Sequence, residues 1–187
     1  MTQHYCASHL EKLFKPRDRK ETIKRMVGLC SRLKHEMPAL YAVAISGTSG
    51  ILGALVADRV GLEIITVSPK RDSRHSNRTA EGLFRAGGYV IFDDLIDSGY
   101  TAYHIWNSIN KECEEINRNG GLTTWDDQCN QIGPTPVVAP TLLGAVLYDS
   151  SWSNGTVANL CMFARINNDY DSTRCADVMP KFKVWTK

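Results

Sequence analysis

The chain has 187 residues, with 22 Lys and Arg against 20 Asp and Glu, a formal net charge of +2. This balance indicates neither nucleic acid nor a membrane as a partner, and no apolar run reaches the length of a transmembrane helix. The six cysteines are scattered without a CxxC pair, which argues against a zinc site. Together with an N-terminus that lacks a signal-peptide core, they favour a cytoplasmic location. The length suits one domain over 1–187.

The periodicity of apolar residues predicts alternating helices and strands. Helical spacing from Ile23 to Leu33 predicts a first helix, with Asp18 and Glu21 as a capping box. A strand–loop–helix–strand order follows, which is typical of parallel sheets. In chain order we expect a strand over 41–45, a helix over 51–60, strands over 63–67, 89–92 and 142–148, and weaker strands over 157–166 and 182–185.

The segment 89–101, YVIFDDLIDSGYT, joins an apolar strand to the start of an amphipathic helix. Asp93 and Asp94 end the strand, and a third acid follows at Asp97. A helix N-terminus binds anions, whereas carboxylates bind hydroxyl groups or Mg²⁺. Three acids at one strand end repel each other unless something binds there. The segment therefore indicates a ligand with a phosphate beside a sugar diol or a metal ion.

This segment resembles the phosphoribosyl pyrophosphate (PRPP) motif of the type I phosphoribosyltransferases. That motif has four apolar residues, two acids, two apolar residues and a short loop such as DTGxT. The resemblance implies that Asp93 and Asp94 hold the ribose hydroxyls and an attendant Mg²⁺. It also implies a loop that binds the 5′-phosphate, formed by Asp97, Ser98, Gly99, Tyr100 and Thr101.

Asp97 has two interpretations. In the resembled family, enzymes that act on 6-oxopurines often carry Asp here, where it exchanges a proton with the purine ring. Asp97 is thus a candidate catalytic residue, and a purine is favoured over an orotate-like pyrimidine as the acceptor. The alternative is an ordinary helix N-cap.

A second loop of small residues follows the strand predicted over 41–45. Small residues let the backbone approach an anion, and successive N–H groups can form a nest. In the resembled family this place holds the pyrophosphate-binding loop, here Ser46, Gly47, Thr48, Ser49 and Gly50. Open α/β sheets bind ligands at the carboxyl ends of their strands, where both loops belong. The alternative is a plain strand-to-helix turn.

The polar segment 68–88 carries Lys70, Arg71 and Arg74. Long polar segments inside a compact domain are usually functional. The segment stands where the family has its flexible catalytic loop, so Lys70 and Arg71 are candidate catalytic residues that meet pyrophosphate. Its sequel, AEGLFRAGGYVIFDD, resembles orotate-type enzymes, in conflict with the purine indication from Asp97. The alternative is a solvated charged loop.

The part that recognises the base, called the hood in this family, is variable. The candidates are the N-terminal arm, the segment 118–140 and the tail. Aromatic side chains there could stack on a base or belong to the core: Trp152, Phe163, Tyr170 and Trp185. A lysine soon after the 142–148 strand would support an oxopurine, but Asp-Ser-Ser stands there, and this leaves the base open.

The expected fold is α/β, a mostly parallel open sheet with helices on both faces and a small irregular hood. The resemblance implies transfer of a phosphoribosyl group from Mg²⁺-bound PRPP to a nitrogenous base, with release of pyrophosphate, by a homodimer. The alternative is a non-catalytic PRPP- or nucleotide-binding regulator on the same fold.

Overall fold

The computed structural model describes residues 16–47, 50–68, 78–93, 100–147, 162–166 and 182–185. The helices of this part are α1 (Pro16–Glu36), α2 (Gly50–Val60) and α3 (Tyr100–Arg118). Its strands are β1 (Leu40–Ser46), β2 (Glu63–Val67), β3 (Ala80–Glu81), β4 (Gly88–Asp93), β5 (Leu122–Trp125), β6 (Gln131–Thr135), β7 (Thr141–Leu147), β8 (Met162–Ile166) and β9 (Phe182–Trp185). None of the described helices is long and apolar enough to cross a membrane.

The strands form a seven-stranded sheet in the order β3-β2-β1-β4-β7-β8-β9. The four central strands, β2, β1, β4 and β7, pair in parallel. The outer strands β3, β8 and β9 pair antiparallel. The prediction of a mostly parallel open sheet is confirmed. The continuous apolar runs of β1 and β4 are buried along their whole length apart from Ser46, as expected for strands covered on both faces.

Two separate apolar clusters cover the two faces of the sheet. Val43, Ile45, Val90 and Phe92 pack with the apolar side chains of α1 and α2. The alternate residues of the same strands, such as Ala44 and Ile91, pack with α3 on the other face. This alternation is the period of two of a β-strand. The expected helices on both faces are therefore confirmed.

Gly53 allows α2 to lie directly on the central strands. A Cβ atom at this position would stand 2.5 Å from Ile45 Cγ2 and 3.3 Å from Phe92 Cβ. We expect Gly53→Ala to lower the free energy of unfolding by about 1–3 kcal/mol, because the core must shift to accept the methyl group. Gly28→Ala is the matched control, since Gly28 lies in α1 and its Cβ would meet no atom within 4 Å.

The control should be neutral or more stable by up to about 1 kcal/mol, because alanine favours the helix. Urea unfolding of both variants measures the difference. A Gly53→Ala protein as stable as Gly28→Ala would contradict the close packing of α2 on the sheet.

The structure corrects one local expectation and adds detail to two other segments. The helix α1 already includes Asp18, so no capping box stands there, and Glu21 instead accepts a hydrogen bond from Arg25 Nε at 2.9 Å. Part of the segment 118–140, one of the candidates for the hood, forms the antiparallel hairpin β5–β6. Ala80 and Phe84, near the end of the segment 68–88, are buried in the core.

Candidate active site

The carboxyl ends of the parallel strands lie level with one another at one edge of the sheet. Ser46 pairs with Val67 of β2, and Ile45 pairs with Phe92, so Ser46 and Asp93 stand at the same level on adjacent strands. Adjacent strands are about 4.8 Å apart. The register therefore brings the start of the small-residue loop beside the first acid of the 89–101 segment. We call this the carboxyl edge.

Side-chain alternation places Ser46 and Asp93 on the face that α3 covers, since Ile45 and Phe92 face α1 and α2. Asp93 is buried, with 7% of its surface exposed. The helix α3 begins at Tyr100, seven residues after Asp93, and Thr101 in its first turn is exposed. The positive end of the α3 dipole thus follows the acidic strand end closely in the chain, as an anion site requires.

The small-residue loop leaves β1 through a left-handed backbone. Gly47 has φ +63° and is exposed, and a Cβ at this position would meet no atom within 4 Å. The position therefore has open space beside it and a backbone that side chains rarely adopt. An exposed glycine with open space around it suits a loop whose backbone N–H groups face an anion.

The donors at the carboxyl edge suit magnesium. Asp93 and Ser46 supply oxygen atoms, the ligands that this hard cation prefers. Within the described residues no group of three or more His, Cys, Asp or Glu side chains could by itself hold a metal ion. A magnesium ion held here would thus depend on Asp94, which lies outside those residues, and on the ligand's own oxygens.

The structure describes six of the predicted site residues and brings Ser46, Gly47 and Asp93 together at the carboxyl edge. Gly50 starts α2, while Tyr100 and Thr101 start α3. The remaining predicted residues lie outside the described part of the chain: Thr48, Ser49, Lys70, Arg71, Arg74, Asp94, Asp97, Ser98 and Gly99. Their assigned roles stay predictions.

The stretch from Ser68 to Thr79, which we call the basic segment, has both of its ends at the carboxyl edge, and both ends contact α3. Ser68 N–H donates to the carbonyl oxygen of Thr79 at 3.1 Å. His104 Nε2 lies 3.2 Å from the carbonyl oxygen of Ser68, and Glu112 Oε2 accepts the N–H of Thr79 at 2.9 Å. We call these four residues the stem clamp. Sequence reasoning missed it, although polar residues beside the apolar stripe of α3 were a usable signal.

The sheet topology shows which candidate segments for base recognition lie near the carboxyl edge and which do not. The hairpin β5–β6 joins the end of α3 to the start of β7, at the edge opposite to Asp93. Phe163 is a core residue, because it is buried with 5% of its surface exposed. In contrast, Leu147 pairs with Met162, so the chain between them leaves and re-enters the sheet at the carboxyl edge. That segment, which contains Trp152, lies outside the described residues.

Cys113 does not act as a nucleophile at neutral pH. Its thiol is buried in the α3 face of the core, and burial, with the charges of Glu112 and Glu114, raises its pKa to about 11. Nucleophilic attack requires the thiolate, which is scarce well below that pKa.

Comparison with known proteins gives partial matches in sequence and in structure. No family model matches the chain. The crystal structure of orotate phosphoribosyltransferase from Aeropyrum pernix aligns with a TM-score of 0.42 and 15% identity, over 74% of this chain and 63% of that one. A stretch of 74 residues is 36% identical to orotate phosphoribosyltransferase of Levilactobacillus brevis. This stretch of the chain is therefore similar in sequence to part of an orotate phosphoribosyltransferase.

The sequence match is partial on both sides. It covers 38% of this chain and 35% of the Levilactobacillus brevis protein, so the chain spans about a third of the length of that relative. The relationship agrees with the family resemblance of the segment 89–101. It gives no support to the purine preference inferred from Asp97, because the relative is named for orotate.

Gly47 offers a test of the first loop as a phosphoribosyltransferase pyrophosphate site. We expect Gly47→Val to weaken binding of Mg²⁺–pyrophosphate about 5- to 30-fold, because forcing a β-branched residue into the left-handed region costs about 1–2 kcal/mol. Gly47→Asn is the control, since Asn tolerates this conformation. Calorimetric titration measures both. Equal affinities for the Val and Asn variants would show that the loop backbone does not bind pyrophosphate.

Proposed function

We propose that this protein is a phosphoribosyltransferase that transfers the phosphoribosyl group of Mg²⁺-bound PRPP to orotate and releases pyrophosphate. The observation that carries the proposal is the carboxyl edge, where Ser46 and Asp93 lie level on adjacent strands and α3 begins seven residues after Asp93. Orotate replaces a purine as the proposed acceptor on the partial match to an orotate enzyme. The loop exit AEGLFRAGGYVIFDD, which resembles orotate-type enzymes, supports the same choice.

The proposed roles follow from the chemistry of the transfer. A ring nitrogen of the base forms a bond to C1 of the ribose, while the bond from C1 to pyrophosphate breaks and its electron pair leaves with pyrophosphate. Asp93 and Asp94 lie beside the ribose, where their charge favours the positive C1 of the transition state. The attacking nitrogen releases its proton, and Asp97 is the proposed acceptor. When bound at this edge, Mg²⁺ offsets the charge of the leaving pyrophosphate.

The remaining groups bind and orient the substrate. The N–H groups of the 46–50 loop are proposed to hold pyrophosphate, and the 97–101 loop with the α3 N-terminus to hold the 5′-phosphate. Lys70 and Arg71 are proposed to meet the pyrophosphate charge as it develops. The homodimer, the cytoplasmic location and the single domain remain predictions; sedimentation of the purified protein tests the first.

Product binding tests the proposed acceptor. We expect orotidine 5′-phosphate to bind more tightly than inosine 5′-phosphate in calorimetric titrations, because the site would then recognise the pyrimidine carboxylate. Ribose 5-phosphate is the control for the contribution of the shared sugar phosphate. If the inosine nucleotide bound more tightly, the acceptor would be a purine, and the interpretation of Asp97 as a purine contact would return.

A further inference from the structure

Glu112 is a buried carboxylate for which the proposed transfer has no use. Only 4% of its surface is exposed. Its Oε2 atom accepts the Thr79 N–H at 2.9 Å and lies 3.3 Å from the Thr79 hydroxyl, while Oε1 lies 3.7 Å from Arg78 Nε. A buried charge is costly unless donors compensate it. Each of these donors belongs to the last two residues before β3, so Glu112 is directed at the exit of the basic segment.

The other end of the same segment, at Ser68, is held by His104, which lies about two turns nearer the N-terminus of α3. His104 Nε2 donates to the carbonyl oxygen of Ser68, because a carbonyl can only accept. The Thr79 hydroxyl also lies 3.5 Å from the carbonyl oxygen of Ser108. His104, Ser108 and Glu112 are spaced by four residues and therefore lie along one side of α3. One rigid helix thus fixes both ends of the chain that joins β2 to β3.

The same helix also begins at the proposed phosphate site. Thr101, in the first turn of α3, precedes His104 by three residues and falls on the same side of the helix. The distance between the phosphate-binding turn and the two segment ends is therefore set by α3 itself. A side chain that meets a developing charge must be placed to within a fraction of an ångström, and this accuracy depends on such supporting contacts.

We propose that Glu112 is a positioning residue for phosphoribosyl transfer. By holding Arg78 and Thr79 against α3, it fixes the point at which the chain carrying Lys70 and Arg71 returns to the sheet edge. This proposal rests on the proposed function, because only that function assigns Lys70 and Arg71 a role in the transfer. A positioning role and a purely structural role predict different kinetics. If Glu112 is a positioning residue, its loss should lower kcat more than it lowers the affinity for PRPP.

The experiment compares Glu112→Gln and Glu112→Ala with the wild type, and uses Glu115→Ala as the control because Glu115 is an exposed acid on α3. We expect kcat to fall in the order Glu, Gln, Ala, by about 10- to 100-fold for Ala. The dissociation constant of Mg²⁺–PRPP should change less than about threefold. A neutral amide oxygen accepts the Thr79 N–H more weakly than a carboxylate, which accounts for the intermediate place of Gln.

Hydrogen exchange at the Ser68 and Thr79 amides supplies a readout that needs no turnover. Exchange should quicken in the same order, Glu, Gln, Ala, and stay unchanged in the control. Unchanged exchange, or equal losses of kcat and PRPP affinity, would overturn the proposal. If the Ala variant does not fold, a Gln variant with wild-type exchange and kcat overturns it alone. A wild type that turns over no base would instead contradict the proposed function, while the exchange result still tests the clamp.

Discussion

Replacing Asp93 and Asp94 by Asn is expected to weaken binding of Mg²⁺–PRPP at least about a hundredfold, because hydrogen bonds to charged groups contribute about 1.5–3 kcal/mol each. The amide keeps the size of the carboxylate but neither its charge nor its affinity for magnesium. The fold should stay intact and gain stability, since two adjacent like charges at a strand end repel each other.

Calorimetric titration with PRPP, with and without Mg²⁺, measures this loss. Asp58→Asn is the control, because Asp58 is an exposed acid on α2 away from the proposed ligand groups. Thermal unfolding separates lost binding from lost folding. A double variant that is folded and binds PRPP with wild-type affinity would show that neither carboxylate takes part in PRPP binding.

Replacing Lys70 and Arg71 by Ala is expected to lower kcat about 10²- to 10³-fold, as for the loss of a group that stabilises charge in the transition state. The PRPP dissociation constant should change far less, because the 46–50 and 97–101 loops hold the ground-state phosphates. Steady-state kinetics together with titration give the two parameters. The matched control is Lys24→Ala with Arg32→Ala, which removes two exposed cations from α1.

If the Lys70 and Arg71 variant kept wild-type kcat, the segment would be a solvated connection, the alternative interpretation of its charges. If kcat and affinity fell by the same factor, the two cations would act in substrate binding alone.

Arg85 is unsuited to either role. Its guanidinium carbon lies 4.4 Å from the ring centroid of Tyr41, so the structure employs it in packing.

The central strands were predictable from sequence because their signal is local. Buried parallel strands read as continuous apolar runs, and the ends of β1, β2, β4 and β7 agree with the predicted ones to within one residue. The carboxyl edge follows from that prediction, since parallel strands end on the same side. The stop of α2 at Gly61 was equally readable: its φ is +66°, and Leu62 N–H donates to Ala57 O at 2.9 Å.

Elements whose signal is not local were missed. All five residues of β6 are exposed and include Pro134, so no apolar alternation indicates a strand. The bonds from Lys34 Nζ to the carbonyl oxygens of Val60 and Gly61, at 3.0 and 2.8 Å, join residues far apart in the chain. The stem clamp joins Thr79 to Glu112 in the same way. Such contacts depend on the packing of helices and loops, which no short window contains.

The acceptor base was the least accessible feature. The segment 89–101 resembles a phosphoribosyl-binding motif, and such a motif is shared by family members that use different bases. The prediction of a purine rested on Asp97 alone, although Asp is also a common helix N-cap. In the resembled family the base is recognised by the hood, and the sequence of that part follows no general pattern.

The most direct test of the account is turnover of Mg²⁺–PRPP with orotate, followed as pyrophosphate release and nucleotide formation, with hypoxanthine, guanine, adenine and uracil in parallel. The account predicts turnover with the highest kcat/KM for orotate and no release without a base. PRPP binding without turnover on any base would contradict the account and identify the protein as a PRPP-binding regulator.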